Sequence, residues 1–350
     1  MKTIDFLYQG PYLIDLGRHY QDLVKGARMF SFSASGFEVG FEGTELSGRF
    51  IATECGRPQG EASIAVLLDE EPFSQARKIT LDKPDALCVL VQGLKKGFHR
   101  VRVYKRTESA CSLTGWKEIS TDGAFAPLPP FQGMKIEIYG DSITAGNGVE
   151  GLRGDDNFET RTENALISYG ALAAEKLKAN FSLICIGGYA LYRSPWNAEA
   201  PIKNIPEMFS YADCTWATTH ENAIPWDNKQ FVPDIVVLSL GTNDDQYLLP
   251  LQEPKRSEEC RHFVLETKNF IDKIRQNYGS VKIIVAIGMI KVSVVTSLLK
   301  EAVASYPSGV FFLEFDSLKE GGFMACGGHP NRAMHLEAGK QLSDLIKKIS

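Results

Sequence analysis

The sequence predicts an α/β protein in two parts. An all-β sandwich or jelly roll occupies residues 1–130, and a three-layer α/β domain built on a parallel sheet occupies 131–350. Three observations carry this: short strand-like runs of period two at the start, a proline-rich connector, and fully apolar runs that alternate with helical stripes thereafter.

In the first part Phe37, Val39 and Phe41 alternate with Glu38, Gly40 and Glu42, the period of a half-buried strand. Runs at 64–68, 86–91 and 99–104 follow, spaced by Gly, Pro, Asp and Lys, as in a sandwich or jelly roll. Pro127, Pro129 and Pro130 then stiffen a connector and mark the domain boundary. Beyond it, 134–139 and 181–186 read as strands. The runs 235–238, 283–287 and 310–313 are apolar throughout, as expected of strands buried on both faces of a parallel sheet. Phe263, Thr267, Phe270, Ile271 and Ile274 recur at helical spacing, as do Ala338, Leu342, Leu345, Ile346 and Ile349. These stripes are expected to face the core. An open sheet of this kind holds its ligand crevice at the carboxyl ends of its strands.

Composition narrows the function classes. The 44% hydrophobic content supports a sizeable core. A net charge of −5 without a basic, aromatic-laced stripe argues against a nucleic-acid partner. No run approaches the ~20 apolar residues of a membrane span, so no membrane partner is expected, and the first residues lack a signal peptide's apolar segment. The seven cysteines are scattered without Cys-x-x-Cys spacing, so neither a zinc site nor a disulfide framework is indicated. Cys88 and Cys185 interrupt buried-looking strands, where cysteine acts as a small hydrophobe. A reduced cytoplasm, with no metal and no cofactor, is the expectation; the oligomeric state is open.

Three strand ends carry residues suited to acyl transfer. Gly140-Asp141-Ser142 closes the run 134–139, Gly241-Thr242-Asn243-Asp244 follows 235–238, and Gly328-His329-Pro330-Asn331 follows the run at 310–313. A serine hydroxyl needs a neighbouring base to become a nucleophile. Of the histidines at 19, 99, 220, 262, 329 and 335, His329 precedes a proline and so belongs to extended or turn backbone, where catalytic groups are commonly carried. His99 falls in the β domain, His262 opens a helix, and His335 lies inside the last helix as a structural residue. Asn243 can donate to an oxygen that gains charge, together with the Ser142 N–H and a glycine N–H, for which Gly188 in Gly187-Gly188 is the candidate. The plain alternatives are that Gly-Thr-Asn-Asp is a turn and that His329 caps the last helix. Taken together, the three strand ends favour catalysis.

The order Gly-Asp-Ser, Gly, Gly-x-Asn-Asp and a late His-Pro resembles the SGNH hydrolases of the GDSL type. Phe41-Glu42-Gly43-Thr44, Gly97-Phe98-His99-Arg100-Val101-Arg102, Ser168-Tyr169-Gly170-Ala171-Leu172, Tyr192-Arg193, Pro233-Asp234-Ile235 and His329-Pro330-Asn331 resemble the carbohydrate esterase family 2 deacetylases over nearly the whole chain. The resemblance implies an amino-terminal jelly roll fused to an SGNH hydrolase domain, with removal of O-acetyl groups from plant-type poly- or oligosaccharides and no metal. It assigns Ser142 as nucleophile and His329 as base, with Ser142, Gly188 and Asn243 as oxyanion donors.

Two departures stand out. SGNH enzymes often carry Asp two residues before the histidine, where this chain has Gly327. A Ser–His dyad, with the histidine oriented by a backbone carbonyl at Gly327, is then implied. Relatives can stack sugar on a late tryptophan, whereas all four here precede Asn243, leaving Trp196, Trp216 and Trp226 as candidate platforms. Another SGNH activity (thioesterase, lysophospholipase or arylesterase) is one rival; a carbohydrate-binding protein with an inactive hydrolase domain is the other. Gly146-Asn147-Gly148-Val149-Glu150-Gly151 matches a dinucleotide fingerprint only in letters, because it runs on into loop rather than helix.

Overall fold

The computed structural model describes residues 1–54, 60–154, 158–196, 199–215, 218–316 and 324–350. Its N-terminal strands are β1 (Lys2–Asp5), β2 (Leu13–Leu16), β3 (Tyr20–Asp22), β4 (Ala27–Met29), β5 (Gly36–Gly43), β6 (Leu46–Glu54), β7 (Ala62–Leu68), β8 (Arg77–Leu81), β9 (Asp85–Val91), β10 (Gly97–Lys105), β11 (Ser112–Thr121) and β12 (Ala124–Phe125). They form two six-stranded antiparallel sheets. One runs β3-β4-β11-β6-β9 with β1 beside β11; the other runs β12-β5-β10-β7-β8 with β2 beside β5.

The alternation at Phe37, Val39 and Phe41 turns these side chains into the core between the sheets, against Phe50, Leu90, Val101, Val103 and Trp116. Strands β1 to β4, β6, β8, β11 and β12 escape sequence reading because they are short or interrupt their apolar residues with polar and charged ones. Their pairing rests on distant partners rather than local pattern. Cys88 is half-buried rather than enclosed, because β9 is an edge strand that also exposes Leu87 and Val89. Cys185 is fully buried.

The connector does not hang free. Ala126 N–H donates to Gly40 O (2.9 Å) and Leu128 N–H to Pro11 O (2.8 Å). The second part then holds β13 (Lys135–Gly140), α1 (Ser142–Ala145), α2 (Tyr169–Leu177), β14 (Asn180–Cys185), β15 (Ile235–Ser239), α3 (Thr242–Leu248), α4 (Lys255–Tyr278), β16 (Lys282–Ile287), α5 (Val295–Ala304), β17 (Val310–Glu314) and α6 (Arg332–Ile349).

Its sheet is parallel, in the order β14-β13-β15-β16-β17. Successive residues of each strand face opposite layers. Ile136, Ile138, Val237 and Ile284 pack with Ala338, Leu342 and Ile346 of α6 and with α2. Tyr139, Val236, Leu238 and Ile283 pack with Phe263, Phe270, Ile271 and Ile274 of α4 and Leu299 of α5. Three layers result. His262 lies well inside α4 rather than at its start. The helix opens with the charged turns Lys255 to Arg261, mostly solvent-facing apart from the buried Glu259, and they leave no apolar period to read.

The two parts are tied through buried charge. Arg18, from the turn after β2, forms an ion pair with Glu137 of β13 at 3.1 Å, both side chains being 0% exposed. Its guanidinium also donates to the carbonyls of Met208 (2.9 Å), Phe209 (3.0 Å) and Tyr211 (2.7 Å). Apolar contact is continuous as well, since Leu16, Leu67, Phe73 and Tyr104 join the cluster that holds α2 and α6.

Candidate active site

Strand order decides where the site lies. β13 is hydrogen-bonded to β14 on one side and β15 on the other, with Gly140 in register with Cys185 and Ser239. The chain therefore leaves three adjacent strands side by side. Connections from β13 and β15 depart to opposite faces there, opening the crevice characteristic of a doubly wound sheet. Ser142 follows β13, Gly187-Gly188 follows β14, and Asn243 follows β15.

Ser142 opens the one-turn helix α1, capped by Asp141, whose Oδ1 accepts the Ile143 N–H at 3.0 Å. Burial pushes the Asp141 carboxyl up to about 7, against the lowering effect of that hydrogen bond. His329 comes from the loop before α6. Its Nε2 lies 2.8 Å from Ser142 Oγ, and its Nδ1 lies 3.2 Å from Gly327 O. Gly327 adopts φ 60°, a left-handed backbone that glycine enters without steric penalty. Nδ1–H donating to that carbonyl leaves the Nε2 lone pair toward the serine hydroxyl, the tautomer a general base requires. Asp141 and Glu337 are engaged elsewhere, with Ile143 N–H and Gln341 Nε2. Burial lowers the His329 imidazole below its ordinary range; the Gly327 carbonyl, the Glu108 charge and the Cys326 carbonyl oppose it.

The last helix is capped by Asn331, whose Oδ1 accepts the Met334 N–H at 3.1 Å, so His329 is not its cap. Gly-Thr-Asn-Asp is not a free turn either, because α3 starts at Thr242 and places Asn243 in its first turn. Asn243 is 7% exposed, and its Nδ2 donates to Tyr189 O at 2.8 Å. That bond uses one amide hydrogen and orients the other. The two aspartates that follow were not read from the sequence as site residues. Asp244 accepts the N–H groups of Leu191 (3.0 Å), Tyr192 (2.8 Å) and Arg193 (3.0 Å), and burial raises its carboxyl to about 6. Asp245 accepts those of Ser293 and Val295 at 3.0 and 3.1 Å. Their signal was adjacency to Asn243: a carboxylate at a helix start can clamp a neighbouring loop.

The tryptophans separate. Trp196 is 62% exposed, and its Cβ sits 3.3 Å from where a side chain on Gly188 would begin, at the edge of the site. Trp226 does not serve as a platform: it is 6% exposed in the contact with the β domain, with the Arg18 guanidinium 5.5 Å from its ring centroid. Its aromatic face is already covered. Trp216 lies outside the described residues. His335 is fully buried in α6; its Nδ1 accepts the Tyr169 N–H at 3.0 Å, and burial pushes it down to about 3.

One buried group among the described residues has metal-ligand residue types. Ligand atoms of Glu108, Cys111 and Glu163 lie within 4.8 Å of one another. These atoms already serve internal hydrogen bonds: Glu163 Oε1 accepts the Glu108 N–H at 2.6 Å, and Cys111 Sγ is 3.7 Å from Glu108 Oε1. The arrangement fits a structural network. At the strand ends, a neutral imidazole on a serine hydroxyl beside glycine and asparagine donors can perform acyl transfer.

Comparison with known proteins identifies the family of the chain. Residues 17–130 match the family model described as Carbohydrate esterase 2 N-terminal, and residues 138–335 match that of the GDSL-like Lipase/Acylhydrolase family. An acetylxylan esterase / glucomannan deacetylase of Cellvibrio japonicus is 27% identical over 89% of this chain and 84% of its own. Cellulase/esterase CelE of Acetivibrio thermocellus is 28% identical over 91% of this chain, which spans 37% of that larger protein. The solved structure of a family two carbohydrate esterase from Clostridium thermocellum, in complex with cellohexaose, superposes with a TM-score of 0.82 at 26% identity, covering 96% of this chain and 98% of the other. With the GDSL match spanning more than half its length, this chain belongs to the GDSL-like lipase/acylhydrolase family, and its first part and overall fold are similar to those of the family 2 carbohydrate esterases.

Proposed function

We propose that this chain is a serine carbohydrate O-acetyl esterase that releases acetate from plant-type poly- or oligosaccharides. The 2.8 Å contact between His329 Nε2 and Ser142 Oγ carries the proposal. As the substrate carbonyl is attacked by Ser142 Oγ, His329 Nε2 takes the hydroxyl proton. The imidazolium so formed is held by the Gly327 carbonyl, which lacks the full charge of an aspartate. Negative charge grows on the acetyl oxygen and is met by the N–H groups of Ser142 and Gly188 and by Asn243 Nδ2. Collapse breaks the bond to the sugar oxygen, which receives the proton from His329. Water, deprotonated by the same Nε2, then attacks the acetyl-serine; the bond to Ser142 Oγ breaks, Oγ takes the proton back from His329, and acetate is freed.

The exposed Trp196 beside Gly188 offers a face for a sugar ring next to the reacting ester. Among the described residues no helix is long and apolar enough to cross a membrane.

Acetate release from acetylated mannan, xylan and cello-oligosaccharides, read by position-resolved NMR, tests the reading. Nitrophenyl esters of rising acyl length give the contrast: a sharp fall beyond acetate is expected. Preference for long acyl chains, with no acetate released from any glycan, would instead favour another SGNH esterase. A donor at an oxyanion typically contributes about 10²–10³ in kcat. Asn243→Ala is therefore expected to lower kcat by about that factor while KM stays similar. A change confined to KM would assign Asn243 to ground-state binding.

A further inference from the structure

Connections between strands normally run over the surface, since buried backbone and charge need partners. The connection from β10 to β11 does the opposite. Every residue from Lys105 to Ser112 is buried, with Lys105 and Glu108 at 0% exposure. It reaches out of the β sandwich into the second domain. Ser109 Oγ donates to Cys214 O (2.7 Å), and Arg106 O accepts the Ala165 N–H (3.0 Å). Lys105 Nζ, donating to the carbonyls of Thr107 (2.6 Å) and Glu108 (2.9 Å), holds the turn shut. Nothing in the sandwich core requires a glutamate there.

The Glu108 carboxylate instead accepts the backbone N–H of Gly187. A side chain on Gly187 would begin 2.8 Å from Asn147 Nδ2 and 3.1 Å from Glu108 Oε1. Glycine at 187 is what lets the carboxylate and the nucleophile-side loop close on this backbone. Two consecutive glycines, however, leave a peptide with wide conformational freedom. An oxyanion donor works only if it is already oriented when charge develops. The Gly187–Gly188 pair therefore needs an external anchor, and a hydrogen bond to a carboxylate is a strong one.

We infer that Glu108, supplied by the β domain, is a positioning residue for ester hydrolysis: by accepting the Gly187 N–H it fixes the Gly187–Gly188 peptide and so aims the Gly188 N–H at the ester carbonyl oxygen. This rests on the serine-esterase reading above. It makes the catalytic domain incomplete without its partner domain, for a reason separate from stability.

The test uses the full chain with three variants, reading kcat and KM on p-nitrophenyl acetate and the rate of Ser142 labelling by a fluorophosphonate. Glu108→Ala removes the acceptor, Glu108→Asp withdraws it by one methylene, and Glu108→Gln keeps an oxygen in place. Misorientation of a catalytic group by an ångström can cost about 10²-fold. Glu108→Ala and Glu108→Asp are therefore expected to lose about 10- to 100-fold in both kcat and labelling rate, with KM little changed. Glu108→Gln should recover most of that loss. Wild-type kcat in folded Glu108→Ala or Glu108→Asp, or a Glu108→Gln variant as impaired as Glu108→Ala, overturns the inference. If Glu108→Ala fails to fold, the Asp and Gln variants still decide. A wild-type chain that labels normally but releases no acetate from glycans overturns the substrate reading alone. One that does not label overturns both.

Discussion

Replacing Ser142 by alanine is expected to remove ester hydrolysis, lowering kcat by at least about 10⁴-fold, the scale on which nucleophile loss acts in serine hydrolases. Only the hydroxyl goes. The helix α1 keeps its cap, because the cap is Asp141 rather than Ser142, and the backbone N–H that serves the oxyanion remains. Folding should thus be unchanged, and near-wild-type denaturation alongside a lost rate isolates the chemistry. No residue among those described offers a second hydroxyl on His329 Nε2, whose hydrogen-bond partner is Ser142 Oγ at 2.8 Å. Titration of released nitrophenol in the first turnover provides a further check: wild type should show an acetyl-enzyme burst, the variant none. A variant retaining even a tenth of the wild-type rate would mean that another group attacks, and the Ser–His mechanism would fall.

Arg18→Ala carries the largest expected cost in stability. Arg18 and Glu137 are completely buried at the seam between the domains. Glu137 also accepts from the hydroxyls of Tyr139 (2.8 Å) and Tyr278 (2.9 Å). Removing the guanidinium leaves a carboxylate without its counter-charge and the Phe209 and Tyr211 carbonyls without this donor, while the Met208 carbonyl keeps the Tyr211 N–H. Breaking a buried pair from one side costs about 3–5 kcal/mol, a large share of the roughly 5–15 kcal/mol that typically holds a folded protein together. The urea midpoint should fall accordingly. The double variant Arg18→Met, Glu137→Gln should lose less, because it buries no unpaired charge. A midpoint for Arg18→Ala within the error of wild type would show that the pair contributes nothing to the seam.

Much of the architecture was legible from short-range pattern. The alternation at Phe37, Val39 and Phe41, the apolar runs at 235–238 and 283–287, and the stripe Ala338, Leu342, Ile346 each report a face that must leave water. Burial on one side of a strand or helix imposes its period on neighbouring residues. Strand ends bearing Ser142, Asn243 and His329 could be named for the same reason: in a parallel α/β sheet, the residue after a strand is where the crevice opens. Where the pattern weakened, the reading failed. Strands such as β11, with Lys117 and Glu118 in its middle, are held by β6 and β4 rather than by their own composition.

By itself, the sequence determined the class of both domains, the family resemblance, and which residues could form an acyl-transfer site. Only the tertiary structure decided the relations among them. Ser142 and His329 meet across 187 positions. The backbone carbonyl that the resemblance implies at Gly327 lies 3.2 Å from His329 Nδ1, with Gly327 at a φ of 60°. Trp226 and Trp196 are the same residue type, yet one is sealed beneath Arg18 and the other stands open beside Gly188. Glu108, which no sequence pattern marks, is buried in its loop against Gly187. Periodicity records whether a residue is covered. What covers it is set by the packing of segments far apart in the chain, and no local pattern encodes that.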